Sequence, residues 1–263
     1  VGSTLKGKSA IVTGATSGIG NAIASALAEE GCNVMFNGFG DREDIENFCQ
    51  RLSTHHGVNV VFDSCDLTDL TQISAMVANA NEAFGKIDIL VNNAGIQHVS
   101  PIDEFPTDKF QQIIQTNLAA PFYAIRDVLP IMKKIGWGRI INISSVNGYV
   151  ASIHKGPYVA AKHGILGLTK VVALETAEID ITCNAVCPGF VKTAIVESQI
   201  QSRMTEKGIS YEEAEQEHLV EKHPSKKFIP PEDIASAVIY LCSDAAKHVT
   251  GVGFPVDGGW LTI

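Results

Sequence analysis

The segment Ser9-Ala-Ile-Val-Thr-Gly-Ala-Thr-Ser-Gly-Ile-Gly20 places a short apolar run directly before a glycine-rich turn. The apolar run predicts a buried strand, and the Ala- and Leu-rich pattern that opens at Gly18 predicts an amphipathic helix. Glycine lets the backbone approach a ligand closely, and the first turn of a helix offers unpaired N–H groups to an anion. We therefore predict that Gly14, Gly18 and Gly20 hold a pyrophosphate, the alternative being that these glycines only shape the turn.

The same alternation of apolar run and helical pattern continues along the chain. Further predicted strands cover residues 33–37, 58–62, 87–91, 138–145, 181–187 and 252–256. Because most of these runs are continuously apolar, we expect the sheet to be covered on both faces. The sequence thus predicts an α/β fold, a single-domain, doubly wound (Rossmann-type) parallel sheet of about seven strands with helices on both faces. No repeat or linker divides the 263 residues.

The composition restricts the kinds of partner and site. The chain has 20 Lys and Arg against 29 Asp and Glu, a formal net charge of -9 that argues against nucleic acid or anionic membrane as the main partner. Its six cysteines are scattered, so we expect reduced, buried thiols and no metal site. No apolar run has the length of a membrane span and no signal peptide is recognised, so a cytoplasmic protein is expected. Val1-Gly2-Ser3 is interpreted as a remnant of cloning.

A second group of residues indicates chemistry. Tyr158 and Lys162 are one helical turn apart, so their side chains are expected on the same face of a helix. An ammonium group near a phenol favours the phenolate, which suits the tyrosine to act as a general acid and base near neutral pH. Ser145, at the end of the fifth predicted strand, could hold a substrate oxygen beside Tyr158. The alternative is an ordinary Tyr-Lys pair on a helix.

The residues after the second and third predicted strands bear on the choice of dinucleotide. An acidic residue at the end of the second strand usually holds the ribose 2'-hydroxyl of NAD, whereas a basic residue there suits the phosphate of NADP. At that point this chain has Gly38 and Phe39. The glycine turn contributes neutral Ser17, and the nearest cation is Arg42, so we expect NAD. Asp66 could accept a hydrogen bond from the adenine amine or bond to its own turn.

Two helical stretches carry further expectations. Residues 107–134 have a helical pattern that Pro121 and Pro130 are expected to kink or interrupt. Asn117, among apolar neighbours in this stretch, indicates a buried polar role. Residues 191–227 form a polar, Glu-rich helical insertion after the sixth strand. We expect it to act as a substrate lid, the alternative being an inert surface insertion.

Together these motifs resemble the short-chain dehydrogenase/reductase superfamily over nearly the whole chain. The matching segments are Thr13-Gly-Ala-Thr-Ser-Gly-Ile-Gly20, Asn92-Asn-Ala-Gly95, Asn117, Ser145, Tyr158-x-x-x-Lys162 and Pro188-Gly189. The resemblance implies that Tyr158 exchanges a proton with the substrate oxygen while Ser145 orients the carbonyl. Lys162 would lower the pKa of Tyr158 and bind the nicotinamide ribose. Asn117 would hold a water that links Lys162 to solvent.

The same resemblance implies where the cofactor binds. The residues expected to contact NAD are Gly14, Thr16, Ser17, Gly18, Ile19, Gly20, Phe39, Asp66, Leu67, Asn93, Ala94, Gly95, Tyr158, Lys162, Pro188, Gly189, Val191 and Thr193. Hydride would pass between the nicotinamide and a substrate carbon, so the protein would contribute position and proton transfer.

A closer resemblance is to the bacterial (R)-3-hydroxybutyrate dehydrogenases, which interconvert 3-hydroxybutyrate and acetoacetate with NAD. It rests on Asn37-Gly-Phe-Gly40, Asn93-Ala-Gly-Ile-Gln-His98, Lys155 and Val196-Glu-Ser-Gln199. It implies that Gln97, Lys155 and Gln199 hold the substrate carboxylate, and a cation joined by two amides suits a short carboxylate. Asn147 and Phe190, also expected at the substrate, stand where this family would have His and Trp.

The resemblance implies a small 3-hydroxy or 3-keto acid as substrate and a homotetramer with two-fold symmetry as the assembly. A reductase of 3-oxoacyl groups or of sugars and polyols is the alternative within the same superfamily. A dinucleotide-binding sensor without catalysis is the alternative from another class. Such sensors tend to lose the Tyr or the Lys, both of which this chain retains.

Overall fold

The fold is built on one parallel sheet in the computed structural model, which describes residues 5–220 and 222–263. The strands are β1 (Ser9–Val12), β2 (Asn33–Asn37), β3 (Val60–Asp63), β4 (Ile89–Asn92), β5 (Trp137–Ile143), β6 (Asp180–Pro188) and β7 (Gly253–Val256). Their order is β3-β2-β1-β4-β5-β6-β7, and every neighbouring pair is parallel. The order reverses between β1 and β4, which leaves a crevice at the carboxyl ends of these strands. The predicted doubly wound sheet is confirmed, whereas Val1-Gly2-Ser3 lies outside the described residues.

Helices cover both faces of the sheet. They are α1 (Gly18–Glu29), α2 (Arg42–His56), α3 (Leu70–Phe84), α4 (Thr107–Ile114), α5 (Ala120–Ile135), α6 (Gly156–Glu175), α7 (Ala194–Lys207), α8 (Tyr211–Val220) and α9 (Pro231–Cys242). Successive side chains of a strand point to opposite faces. Val12 therefore joins the core formed with α1 and α9, whereas Ile11 joins the core formed with α3 and α5. The sheet lies between two separate apolar cores.

The helical stretch 107–134 is interrupted directly before Pro121, one of the two prolines expected to kink or interrupt it. A π-helical turn, Gln115–Ala119, separates α4 from α5, and Pro130 lies inside α5 without ending it. Pro121 has no N–H to donate to the carbonyl of Asn117 four residues earlier, so regular helical bonding cannot continue through this turn. At Pro130 the expected interruption is not found, since α5 continues through this residue to Ile135.

The loop from β3 to α3 is organised by aspartates. The sequence favours Thr68 as the cap of α3, but the helix begins at Leu70 and its N-cap is Asp69, whose carboxylate accepts a hydrogen bond from the Thr71 N–H. Asp66 in turn accepts bonds from the N–H and hydroxyl of Thr68. The N–H groups of this loop bond to the carboxylates and not to the threonine hydroxyl, because a carboxylate is the stronger hydrogen-bond acceptor.

The insertion after β6 forms two helices with a small core of their own. Val196 and Ile200 on α7 pack with Ala214 on α8. Ser210 and Glu213 exchange hydrogen bonds between side chain and backbone at the start of α8, which is the capping box that the spacing Ser-x-x-Glu favours. The insertion is therefore a folded helical pair that leaves β6 and returns to α9.

Membrane spans, metal clusters and disulfides are absent from the described residues. None of their helices combines the length and the apolar character that crossing a bilayer requires. Within the same ranges, no three His, Cys, Asp or Glu side chains gather closely enough to hold a metal ion. All six cysteines are free thiols and buried.

Candidate active site

The glycine turn is held against the end of β4. The side-chain amide of Asn93 donates hydrogen bonds to the carbonyls of Thr13 and Gly14, at 2.9 and 3.1 Å. Gly14 has φ +61, and a Cβ at Gly20 would overlap the carbonyl oxygen of Gly14. Glycine is required at both positions for this close approach. Ser17 is the N-cap of α1, and its side chain forms no capping hydrogen bond. The backbone N–H groups of the first helical turn therefore remain available to bind an anion.

A cavity of about 1000 Å³ runs along the carboxyl ends of the strands from this turn to α6. It is lined by every predicted cofactor residue, by every predicted substrate residue, and by Ser145, Tyr158 and Lys162. Among the predicted site residues only Asn117 is absent from the lining. Motifs from distant parts of the sequence therefore converge on one space, as expected at the point where strand order reverses.

The residues after β2 border this cavity where the adenine is expected to bind. Gly38 and Phe39 line it, and Phe39 is 69% exposed. Arg42 pairs with Glu46 at 2.7 Å on the exposed face of α2. Asp66 lines the same region while bonding Thr68, so the turn-forming role is found in the structure and a contact with adenine stays a prediction.

Ser145, Tyr158 and Lys162 form the chemical centre of the cavity. Ser145 follows β5 and its hydroxyl accepts a hydrogen bond from the Asn147 N–H at 3.1 Å. Burial raises the pKa of Tyr158, and a hydrogen bond with Ser145 partly offsets this rise. Burial lowers the pKa of Lys162 to about 8. The serine hydroxyl and the tyrosine phenol thus share one hydrogen bond, beside an ammonium group that gives up its proton more readily than an exposed lysine.

The position of Lys162 differs from the expectation in one respect. Its Nζ donates to the Ile143 carbonyl at 2.7 Å and lies 5.6 Å from the centre of the Tyr158 ring. The lysine therefore uses one hydrogen bond at the end of β5, and burial outweighs any lowering of the Tyr158 pKa by Lys162.

Asn117 lies in the π-helical turn and is buried. Its amide accepts a hydrogen bond from the Ile96 N–H and donates one to the Ile96 carbonyl, both at 2.9 Å. A Cβ built on Gly95 would be 3.6 Å from Asn117 Oδ1 and 3.7 Å from Lys162 Nζ. The expected buried polar role is confirmed: Asn117 fixes the loop after β4 close to Lys162. Its expected water remains a prediction.

The residues assigned to the substrate carboxylate all border the same cavity as Tyr158. Gln97, Lys155 and Gln199 all line it, although they come from three separate segments. Asn147 also lines it, and its Oδ1 accepts a hydrogen bond from the Ser152 hydroxyl at 3.0 Å. Since the amide oxygen is occupied in this way, the NH₂ group of Asn147 remains as its donor. Lys222 Nζ lies 3.3 Å from the same Ser152 hydroxyl.

Phe190 and Trp260 form an aromatic wall of the cavity, and the sequence motifs identified only part of this wall. Phe190 and Trp260 both line the cavity with ring centres 4.7 Å apart. Trp260 lies in the C-terminal tail, outside every motif that the sequence analysis assigned to the site. Buried His223, behind Phe190, gave no signal at all. Ser152 and Lys222 were likewise missed, since neither stands in a recognisable motif.

Known proteins match the chain over nearly its whole length. A family model described as enoyl-(acyl carrier protein) reductase matches residues 14–261. The D-beta-hydroxybutyrate dehydrogenase of Cupriavidus necator is 46% identical over 257 residues, which cover 98% of this chain and 99% of that protein. The protein of the same name from Rhizobium meliloti is 47% identical over 253 residues, 96% and 98% of the two chains. The crystal structure of a variant of actinorhodin polyketide ketoreductase with NADPH superposes with a TM-score of 0.89 at 36% identity, covering 96% of this chain and 97% of that one.

Proposed function

Because the chain belongs to the short-chain dehydrogenase/reductase family of oxidoreductases, we propose that it is an NAD-dependent dehydrogenase that interconverts (R)-3-hydroxybutyrate and acetoacetate. The observation that carries the substrate assignment is the placement of Lys155 in the same cavity as Tyr158, with Gln97 and Gln199. Relatives named D-beta-hydroxybutyrate dehydrogenase at 46% and 47% identity support the same substrate.

The charge of Lys155 favours an anionic substrate. Lys155 is the N-cap of α6, where the helix dipole makes a cation unfavourable. A bound carboxylate would offset this cost, because it interacts favourably with both the ammonium group and the helix end. Two amides supply further donors without charge, which suits a short acid. Phe190 and Trp260 would border the rest of the molecule with apolar surface.

The glycine turn fits a nicotinamide dinucleotide. The close approach of Gly14 and Gly20, with the uncapped end of α1 beside them, leaves backbone N–H groups for a pyrophosphate. When bound, the cofactor supplies the group that accepts or gives the hydride. The neutral residues Gly38 and Phe39, together with the pairing of Arg42 to Glu46, favour NAD over NADP.

Proton transfer belongs to the side chains of this chain. In alcohol oxidation, Tyr158 takes the hydroxyl proton while Ser145 holds the substrate oxygen, and the carbon loses its hydride to the bound cofactor. Because burial raises the pKa of Tyr158, the phenolate that takes the proton is its minor form near neutral pH. In ketone reduction, Tyr158 returns a proton to the same oxygen. Lys162, whose pKa is about 8, is suited to pass protons onward near neutral pH.

The test is direct measurement of turnover with both cofactors. Purified protein is mixed with (R)- or (S)-3-hydroxybutyrate and NAD or NADP, and reduced nicotinamide is followed by absorbance. We expect turnover of the (R) acid with NAD, with kcat/KM at least about tenfold above that with NADP. Methyl acetoacetate tests the carboxylate in the reverse direction. Equal kcat/KM for acetoacetate and its methyl ester would contradict the assignment and favour a 3-oxoacyl reductase.

A further inference from the structure

His223 lies where the helical insertion returns to the sheet. Its imidazole is 1% exposed and both ring nitrogens are bonded. The Phe190 N–H donates to Nε2 at 3.0 Å, and Nδ1 lies 2.9 Å from the Lys227 carbonyl oxygen. A nitrogen that accepts a hydrogen bond carries no proton, and a nitrogen facing a carbonyl must donate one. The two bonds therefore fix His223 as a neutral imidazole with its proton on Nδ1.

The surrounding backbone is shaped to this ring. A Cβ built on Gly189 would clash with Nε2, and one built on Gly258 would lie 2.9 Å from Nδ1. Gly189 follows β6, and Gly258 follows β7, so the ring fits between two strand ends and the insertion. Any larger residue at these glycines would displace it.

The same ring supports the aromatic wall of the cavity. The Phe190 ring centre lies 5.4 Å from the imidazole centre, with the planes inclined by 30°, and Trp260 meets the imidazole edge-on at 5.9 Å. Phe190 and Trp260 border the cavity, whereas His223 lies behind them. His223 thus contacts both wall residues from the side opposite the substrate space.

We propose that His223 is a positioning residue whose neutral imidazole holds the Phe190–Trp260 wall and the end of the insertion against β6, and whose protonation releases this wall from the substrate. Protonation at Nε2 would place two N–H groups face to face, that of the ring and that of Phe190, so the bond between them would be lost. The effect on substrate rests on the proposed function, whereas the movement of the wall does not.

Two charged groups lie near the ring and its aromatic wall. Asp257, in the turn after β7, acts on the ring itself, and Lys222 Nζ lies 5.5 Å from the centre of the Trp260 ring. Burial lowers the pKa of His223 below its ordinary value of 6.5, although the Lys227 carbonyl and Asp257 oppose this. Because the ring binds a proton less readily in the folded protein, its contribution to stability is complete above about pH 6.5 and is lost as the pH falls.

Glutamine offers a matched replacement without titration. Its amide oxygen can accept from the Phe190 N–H while its NH₂ donates to the Lys227 carbonyl, and it stays neutral throughout. His223→Leu fills similar space but makes neither bond. His55→Gln, an exposed histidine in the last turn of α2, serves as the control.

The experiment measures KM and kcat for (R)-3-hydroxybutyrate with NAD from about pH 8 to about pH 5.5. As the pH falls over this range, we expect KM to rise about tenfold more in the wild type than in His223→Gln. The change in kcat with pH should be the same in both proteins, because the lost hydrogen bond affects the wall and not the reacting atoms. His55→Gln should follow the wild type, and His223→Leu should have a raised KM at every pH.

Tryptophan emission supplies a second measurement that needs no turnover. The chain has two tryptophans, so a Trp137→Phe background leaves Trp260 as the reporter. We expect its emission to change with pH when His223 is present and to stay constant in His223→Gln. The same acid-side rise in KM and the same emission change in His223→Gln would overturn the proposal. An emission change that requires His223, in a protein without activity on 3-hydroxybutyrate, would support the positioning role and refute only the proposed function.

Discussion

Lys155 and Tyr158 lie at the start of the same helix, although one is proposed to bind the substrate carboxylate and the other to transfer the proton. Lys155 is the N-cap of α6 and Tyr158 lies in its first turn, so a single structural element positions the anion-binding charge and the acid/base group. Ser145 reaches the same point from the end of β5. Rigid elements hold all three, so the distance between the carboxylate end and the reacting end of the substrate is set by the fold.

The first prediction concerns the charge of Lys155. Lys155→Ala should raise KM for acetoacetate about tenfold to a hundredfold, because a hydrogen bond to a charged group contributes about 1.5–3 kcal/mol, while kcat changes less. KM for methyl acetoacetate should barely change. Steady-state kinetics measure both. Lys170→Ala, at an exposed lysine of the same helix, is the matched control, and an equal rise in KM for acid and ester would remove Lys155 from carboxylate binding.

Individual residues differ in how far the sequence predicts their roles. Tyr158, Lys162 and the glycine turn were predictable because their chemistry depends on short spacings within one element. His223, Ser152 and Lys222 were not, because their partners are 33 and 70 residues away in sequence. Whether Lys162 donates toward Tyr158 or toward Ile143 is decided by local packing, which no spacing encodes.

The strands and most helices were predictable because their signals are local. Apolar runs gave the positions of all seven strands to within a few residues, and α2 and α3 both end at a glycine in the left-handed conformation. The π-helical turn was not foreseen. It results from the bonds of Asn117 to Ile96, 21 residues earlier, together with the N–H that Pro121 lacks.

The second prediction tests the contact between the glycine turn and β4. Gly20→Ala would bring a methyl group against Gly14 and Asn93, so it should weaken NAD binding by at least about tenfold as the turn opens. Isothermal calorimetry or cofactor fluorescence measures the affinity. Gly167→Ala, inside α6 with open space around the new Cβ, should leave affinity unchanged and add about 0.5–1 kcal/mol of stability. Unchanged affinity in Gly20→Ala would contradict the close-approach argument.

The entire molecule combines one large cavity with apolar surface elsewhere. Leu174 on α6 is 78% exposed, and Phe110 on α4 and Phe122 on α5 are each 48% exposed. Apolar side chains of this size on helices that flank one side of the sheet favour association. They lie outside the cavity-lining set, so the site and this surface can serve different purposes.

The third prediction concerns assembly: the resemblance to the short-chain dehydrogenase/reductase family implies four chains of 28.1 kDa, and this apolar surface is a candidate contact between them. Light scattering coupled to size exclusion should give the mass of a tetramer at micromolar concentration, with two-fold symmetry relating the subunits. Leu174→Glu, which places a charge on the exposed apolar face of α6, should reduce that mass if the face is buried between subunits. A wild-type mass of one chain at every concentration would contradict the prediction.

The most direct test of the proposed chemistry is the Tyr158→Phe variant, which removes the phenolic hydroxyl and leaves the ring. If Tyr158 transfers the proton, kcat for (R)-3-hydroxybutyrate oxidation should fall about a hundredfold to ten-thousandfold. The dissociation constant for NAD should remain within about twofold of the wild-type value, because the glycine turn is untouched. A variant that binds NAD normally and retains kcat within about tenfold of the wild type would contradict the central claim that Tyr158 is the acid/base group of a hydride-transferring site.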